Sequence, residues 1–124
     1  MMLKTFALAA ALTIGMAAPA LADSSLCQEP IAPAAVDGNT ASKDQIKSAL
    51  QDVKTFIKQS DDYQECLYKD LKDQADTAKK DKKELDPAIS AAVDAKVKAN
   101  QALKERVGAE FNAAAQAYNA KHPG

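Results

Sequence analysis

The sequence has very few of the residues on which most enzymes rely for catalysis. It contains one histidine, two cysteines and no tryptophan. The histidine, His122, is followed only by Pro123 and Gly124. We find no glycine-rich phosphate loop, no zinc spacing that includes histidine and no nucleophile elbow. We therefore expect a protein that is not an enzyme, and we expect no metal and no cofactor.

Helix-breaking residues are also scarce. The chain has four glycines and five prolines. Between Ala41 and Ala120, Pro87 is the only proline and Gly108 is the only glycine. Most of the remaining residues are alanine, lysine, acidic residues and glutamine, which lose little side-chain entropy in a helix. No alternating strand pattern competes with this composition. The sequence therefore predicts an all-α fold.

An excess of positive charge is missing as well. The chain has 16 basic and 17 acidic residues. A domain that binds nucleic acid normally shows a clear basic excess. We therefore do not expect nucleic acid to be a partner.

Residues 1–22 have the layout of a cleaved secretory signal. Lys4 precedes an apolar run from Phe6 to Met16, and Ala20-Leu21-Ala22 provides the small residues of a cleavage site. The apolar run is too short to span a membrane. Ser24-Ser25-Leu26 precedes Cys27, so the small-residue box before a lipid-modified cysteine is missing. We expect an exported protein, soluble in the periplasm or outside the cell.

The rest of the chain divides into an arm and a helical domain. Residues 23–41 contain Pro30, Pro33 and Gly38 without a periodic apolar pattern, which predicts an extended, polyproline-like arm. Residues 42–121 form the helical domain.

A capping box opens the first helix, because Ser42 is followed three residues later by Gln45. Core-facing residues then repeat at steps of three and four, which indicates one face of a long helix. The residues on this face are Ile46, Leu50, Val53, Ile57, Ser60, Gln64, Leu67, Leu71, Gln74 and Ala78. An alternative is a break near Ser60, because Asp62 and Glu65 also have capping-box spacing. The continuous helix gives a two-helix hairpin, and the broken helix gives a three-helix bundle.

Asp86 followed by Pro87 indicates the start of the second helix. Its core face consists of Ile89, Val93, Val97, Asn100, Leu103, Val107, Phe111, Ala114 and Tyr118. If the chain reverses near Asp86, the helices run antiparallel. The expected pairs are then Tyr63 with Phe111, Phe56 with Tyr118, and Gln74 with Asn100. Gly108 would lie opposite residues 63–67 and allow a ring to approach closely.

Polar residues on these two faces have a simple interpretation. Ser60, Gln64, Gln74 and Asn100 interrupt otherwise apolar faces. We interpret them as residues that fix the register between the helices.

Cys27 and Cys66 are expected to form a disulfide with each other, because an exported chain of this size meets an oxidising compartment. Cys66 lies about 36 Å along the helix from Ser42, and the chain from Cys27 to Ser42 spans at most roughly 54 Å. The arm must therefore run back along the hairpin, which would place Ile31 and Val36 in its groove.

Three groups of residues are candidate sites. The aromatic residues Tyr63, Tyr68, Phe111 and Tyr118 are candidates for an interaction surface, although an aromatic stripe at helical spacing is more often core. The carboxylates Asp61, Asp62 and Glu65 resemble a cation site, but the alternating acidic loop is missing. The lysines Lys79, Lys80, Lys82 and Lys83 are candidates for contact with anionic lipid headgroups or a polyanionic wall, but the neighbouring acids Asp81 and Glu84 weaken their field. We interpret the second and third groups as solvated surface.

Two segments carry a resemblance to known proteins. They are Ser60-Asp61-Asp62-Tyr63-Gln64-Glu65-Cys66-Leu67 and residues 100–112, which read Asn-Gln-Ala-Leu-Lys-Glu-Arg-Val-Gly-Ala-Glu-Phe-Asn. In these segments the chain resembles short exported bacterial helical proteins of unassigned function. The resemblance implies an exported helical domain and no activity. The general shape is also similar to periplasmic helical chaperones and envelope coiled coils, but none of their motifs is present.

These observations favour a non-enzymatic interaction or structural protein of the cell envelope or periplasm. Two helices alone leave one apolar side poorly covered, so we expect a protein partner or self-association. One alternative is a chaperone-like binder of exported proteins. Another is a carrier of a small apolar ligand between the helices.

Overall fold

The computed structural model describes residues 27–123, which form an extended arm followed by two long α-helices. Helix α1 spans Lys43–Lys80 and helix α2 spans Pro87–Lys121. Within residues 27–123 there is no strand, so the expected all-α fold is confirmed. The expected signal, residues 1–22, lies outside the described residues. Neither α1 nor α2 combines the length and apolar character that a membrane crossing requires.

Helix α1 begins at the expected capping box and continues without a break. The Ser42 side chain accepts a hydrogen bond from the Gln45 backbone N–H, and the Gln45 side chain accepts one from the Ser42 N–H. The acidic residues Asp61 and Asp62 do not cap a second helix, because they pair with Lys104 and Lys58 at the surface. The three-helix alternative is therefore wrong.

A Schellman motif ends helix α1. The Lys82 N–H donates to the Lys79 carbonyl, and the Lys83 N–H donates to the Ala78 carbonyl at 2.8 Å. Lys82 occupies the left-handed position of the motif, with φ = 55°. Glycine usually fills this position because it has no Cβ to clash. The chain thus reverses directly after Lys80, before the start of α2.

Helix α2 begins where the sequence indicated. The Asp86 side chain accepts a hydrogen bond from the Ala88 N–H at 2.9 Å, and Pro87 is the first helical residue. The buried residues of α2 are Val93, Asn100, Val107 and Ala114. Their spacing of seven residues places them on one line along the helix.

Two apolar clusters join the helices. The first, the Phe56 cluster, contains Val53, Phe56 and Val107. The second, the Leu67 cluster, contains Tyr63, Leu67 and Val93. Partners at higher numbers on α1 have lower numbers on α2, so the two helices run antiparallel.

The expected register between the helices is wrong. Asn100 bonds to Ser60 and Gln64, whereas Gln74, its expected partner, bonds to Asp70 of its own helix. The expected register placed the reversal at Asp86, where α2 starts. The Schellman motif reverses the chain several residues earlier. Each residue of α2 therefore faces a residue of α1 that lies nearer the N-terminus of α1 than the expected partner does.

The register also decides the position of Gly108. A Cβ added at Gly108 would have no atom within 4 Å. The expectation that Gly108 allows a ring to approach closely is therefore wrong.

The arm lies along the hairpin with a three-residue period. Cys27, Pro30, Pro33 and Val36 are all half-buried, and three residues per turn is the period of a polyproline II helix. Val36 lies beside Ala49 and Val53, as expected. Ile31 is 90% exposed, so its expected place in the groove is wrong. Ala32 is also half-buried and packs against the Phe56 cluster, so the arm departs from the period of three at this residue.

Candidate functional site

The most distinctive site in the fold is the seam where the arm meets helix α1. Cys27 and Cys66 form a disulfide here, with their Cα atoms 5.7 Å apart, and the expected pairing is confirmed. The two cysteines are 39 residues apart in the chain. Closing a loop of this length lowers the entropy of the unfolded chain, which corresponds to about 4 kcal/mol of stability.

The other end of the arm is held by close packing at Gly38. A Cβ at this position would lie 1.9 Å from the carbonyl oxygen of Ala114 and 2.7 Å from its carbonyl carbon. Only glycine therefore fits where the arm crosses α2. The preceding Asp37 accepts hydrogen bonds from the N–H groups of Asn39, Thr40 and Ala41, which form a tight turn into the buried Ala41.

A shallow hollow of about 560 Å³ lies beside the disulfide. Its walls come from the arm, residues 27–31, and from Gln59, Asp62, Tyr63 and Cys66 of α1. A second hollow, of about 440 Å³, lies at the turn between the helices and includes Asp73, Lys83 and Asp86. Both hollows are open to solvent, so neither encloses a ligand.

A polar layer of Ser60, Gln64 and Asn100 separates the two apolar clusters. The Asn100 amide donates to the Ser60 hydroxyl at 3.2 Å and accepts from the Gln64 amide at 2.8 Å. Ser60 is 0% and Asn100 1% exposed. Buried polar groups of this kind are costly unless their partners are all present. Every buried side-chain polar atom in the described part of the chain has a partner.

The four aromatic candidates do not converge on one surface. Tyr63 is buried in the Leu67 cluster, whereas Phe111 packs against the Phe56 cluster on the far side of the polar layer. Tyr118 stacks on His122 with ring centroids 4.2 Å apart. Tyr68 is the most exposed of the four, at 50%. The aromatic residues thus act mainly as separate packing elements of the hairpin.

The candidate carboxylates pair with lysines. Lys104 bonds to Asp61 across the helices, and Lys58 donates to Asp62 at 2.8 Å within α1. The hydrogen bond to Asp62, together with the charge of that carboxylate, raises the pKa of Lys58. Among residues 27–123 no group of histidine, cysteine and acidic side chains could hold a metal ion.

The outer faces of the two helices differ in chemistry. The outer face of α1 carries ion pairs four residues apart, such as Lys69 with Asp73 and Lys72 with Asp76. The outer face of α2 carries a line of exposed alanines at steps of three and four, with one step of seven between Ala102 and Ala109. We call this line the alanine face. Its members are Ala88, Ala92, Ala95, Ala99, Ala102, Ala109 and Ala113. The spacing of these alanines is present in the sequence, but their small side chains give a weaker apolar signal than the larger residues of the core face.

Comparison with protein families, with curated proteins and with solved structures finds no match for this chain. Its chemistry must therefore be judged from its own residues. The described part of the chain offers a disulfide, a clamped arm and two contrasting helix faces.

Proposed function

We propose that this protein is an exported, non-enzymatic helical protein of the periplasm or cell envelope, and that it acts by contact between helices. In this proposal its first partner is a second copy of itself. The Cys27–Cys66 disulfide supports export, because disulfides persist in oxidising compartments. The resemblance to short exported bacterial proteins of unassigned function agrees with this assignment and adds no activity.

The alanine face carries the proposal. High helix propensity alone accounts for alanine on an exposed helix, but it does not require the spacing of three and four residues. That spacing is the one at which a helix meets a second helix in a coiled coil. Small side chains also let two helices approach more closely than leucine or isoleucine would. We therefore infer that α2 packs against another helix through this face.

Charges beside the alanine face favour an antiparallel second copy. Lys98 and Glu105 are both exposed and lie seven residues apart along α2. A two-fold axis between these positions would bring Lys98 close to Glu105 of the partner subunit, and the symmetry repeats the contact. A parallel pair would not bring these opposite charges together in the same way. The charges would thus select the orientation while the alanines provide the contact.

The test is the molar mass of the oxidised protein, measured by light scattering over a range of concentrations. We expect the mass to rise to that of two chains, and we expect Ala99→Glu to return it to one chain. Thr55→Glu is the matched control, because it adds the same charge to the outer face of α1 and should leave the dimer intact.

Two outcomes would refute the proposal. The first is a mass of one chain at every concentration. The second is an equal loss of the dimer in both variants, which would mean that added charge, and not the alanine face, controls assembly.

A further inference from the structure

The arm is held at its two ends by different means. At one end, the disulfide joins Cys27 to Cys66 of α1. At the other end, Gly38 packs against the backbone of Ala114 and leads into the buried Ala41. One attachment is therefore covalent and can be reduced, and the other is packing that a reductant does not touch.

Between these ends, the arm has few interactions. Residues 28–36 make no hydrogen bond within residues 27–123. Pro30, Ala32, Pro33 and Val36 are partly buried against the hairpin, and the other five residues of this segment are exposed. An ordered segment of this kind gives up conformational entropy. The disulfide offsets this cost, because it keeps the arm beside α1 covalently.

The arm covers part of the hairpin core. Ala32 packs against the Phe56 cluster, and Cys27 packs against the Leu67 cluster, which contains Tyr63. Phe56 is 2% and Tyr63 6% exposed with the arm in place. Removal of residues 27–36 would therefore expose the part of each cluster that the arm now covers.

Reduction would leave the hairpin itself intact. The disulfide joins the arm to α1, and no bond of the α1–α2 interface passes through it. The Ser60–Asn100 and Gln64–Asn100 hydrogen bonds, and the contacts between Leu67 and Val93, do not involve the arm. The consequence of reduction is therefore local to the arm.

We propose that the arm is a redox-controlled strap. With the disulfide intact, residues 27–36 cover part of the Phe56 cluster and part of the Leu67 cluster. A dithiol reductant attacks one sulfur, forms a mixed disulfide and then closes its own disulfide. Two electrons and two protons pass to Cys27 and Cys66, which become thiols. Residues 27–36 then leave the hairpin, and Gly38 keeps the base of the arm attached.

Tyrosine fluorescence provides a test within a single chain. The protein has three tyrosines and no tryptophan, so the double variant Tyr68→Phe/Tyr118→Phe leaves Tyr63 as the only emitter. Its quenching constant with acrylamide is measured from fluorescence lifetimes, oxidised and after dithiothreitol, well below the unfolding temperature of the reduced protein. We expect the constant to rise severalfold, towards that of Tyr68 in the variant Tyr63→Phe/Tyr118→Phe.

Far-ultraviolet circular dichroism of the same samples decides between strap opening and unfolding. The proposal requires unchanged helix content together with increased quenching. Unchanged quenching in the reduced protein would overturn it, and so would a loss of helix on reduction.

Adding Cys27→Ser to the variant whose only tyrosine is Tyr63 provides the permanently open control. We expect a high quenching constant with or without dithiothreitol. A low constant in this folded variant would also overturn the proposal. If the control does not fold, the measurements on the protein that retains both cysteines decide alone. Because the readout is internal to one chain, it is independent of the proposed self-association.

Discussion

Two glycine-to-alanine substitutions should change stability in opposite directions. The substitution Gly38→Ala places a Cβ where the nearest atom, the Ala114 carbonyl oxygen, is only 1.9 Å away. The atoms in the way belong to the backbone of a helix, which cannot move aside without losing its own hydrogen bonds. The arm must instead lift away from α2 and lose the burial of residues 38 and 41.

The magnitude follows from two opposing effects. Inserting a methyl group into a packed site costs about 1–3 kcal/mol. Replacing glycine also lowers the conformational entropy of the unfolded chain, which stabilises the protein by about 0.4–1 kcal/mol. The backbone at Gly38 has no positive φ, so strain in the backbone adds nothing. We expect a net loss of about 1.3 kcal/mol, or roughly 5–10 °C in Tm for a domain of this size.

The matched control is Gly108→Ala. No atom lies within 4 Å of a Cβ at this position, and the residue is inside α2. Alanine should therefore stabilise the protein by about 0.5–1 kcal/mol, because glycine is unfavourable inside a helix. Thermal and urea unfolding of the oxidised proteins, followed by circular dichroism, would measure both effects. A Gly38→Ala variant as stable as the parent would refute the close packing of the arm on α2.

Two further substitutions test the polar layer and the turn. Asn100→Ala removes the partner of Ser60 and Gln64. It should lower the unfolding free energy by about 1–3 kcal/mol, because the buried Ser60 hydroxyl then lacks its donor. A loss no larger than that caused by Gln101→Ala at an exposed position would contradict this. Lys82→Gly should raise the unfolding free energy by about 1 kcal/mol, because it relieves a positive φ. The same urea titration would count against that reasoning if Lys83→Gly stabilised the protein equally.

Local signals in the sequence identified the starts of both helices correctly. The Ser42–Gln45 capping box and the Asp86–Pro87 start depend on neighbouring residues alone, and both occur in the structure as expected. The disulfide was also predictable, since the chain has only two cysteines.

The register was not predictable in the same way. The register depends on where the chain reverses. The reversal occurs at Lys82, in a position that glycine usually occupies, so no glycine in the sequence indicates it. Gln74 has the right spacing to face α2, yet its amide bonds to Asp70 within α1. Side-chain spacing shows which face of a helix is inward, but it does not show which residue of the other helix lies opposite.

The orientation of the arm residues could be predicted only in part. Hydrophobicity alone predicts that Ile31 and Val36 face inward. Applying the three-residue period of an extended proline-containing segment to Cys27 places Pro30, Pro33 and Val36 inward and Ile31 outward, as observed. The importance of Gly38 could not be read from the sequence, because it depends on the path of the arm across α2.

The polar layer has a consequence for the alternative alignments that this hairpin could adopt. Val53, Ser60 and Leu67 are seven residues apart on α1, and Val93, Asn100 and Val107 are seven apart on α2. If one helix moved seven residues along the other, most apolar side chains of α1 would therefore again lie opposite apolar side chains of α2. This movement would also place the Asn100 amide against Val53 or Leu67, where no hydrogen-bonding group is available. A helix pair with valine at residue 100 would have several alignments of similar energy, whereas the single amide makes one of them clearly the lowest.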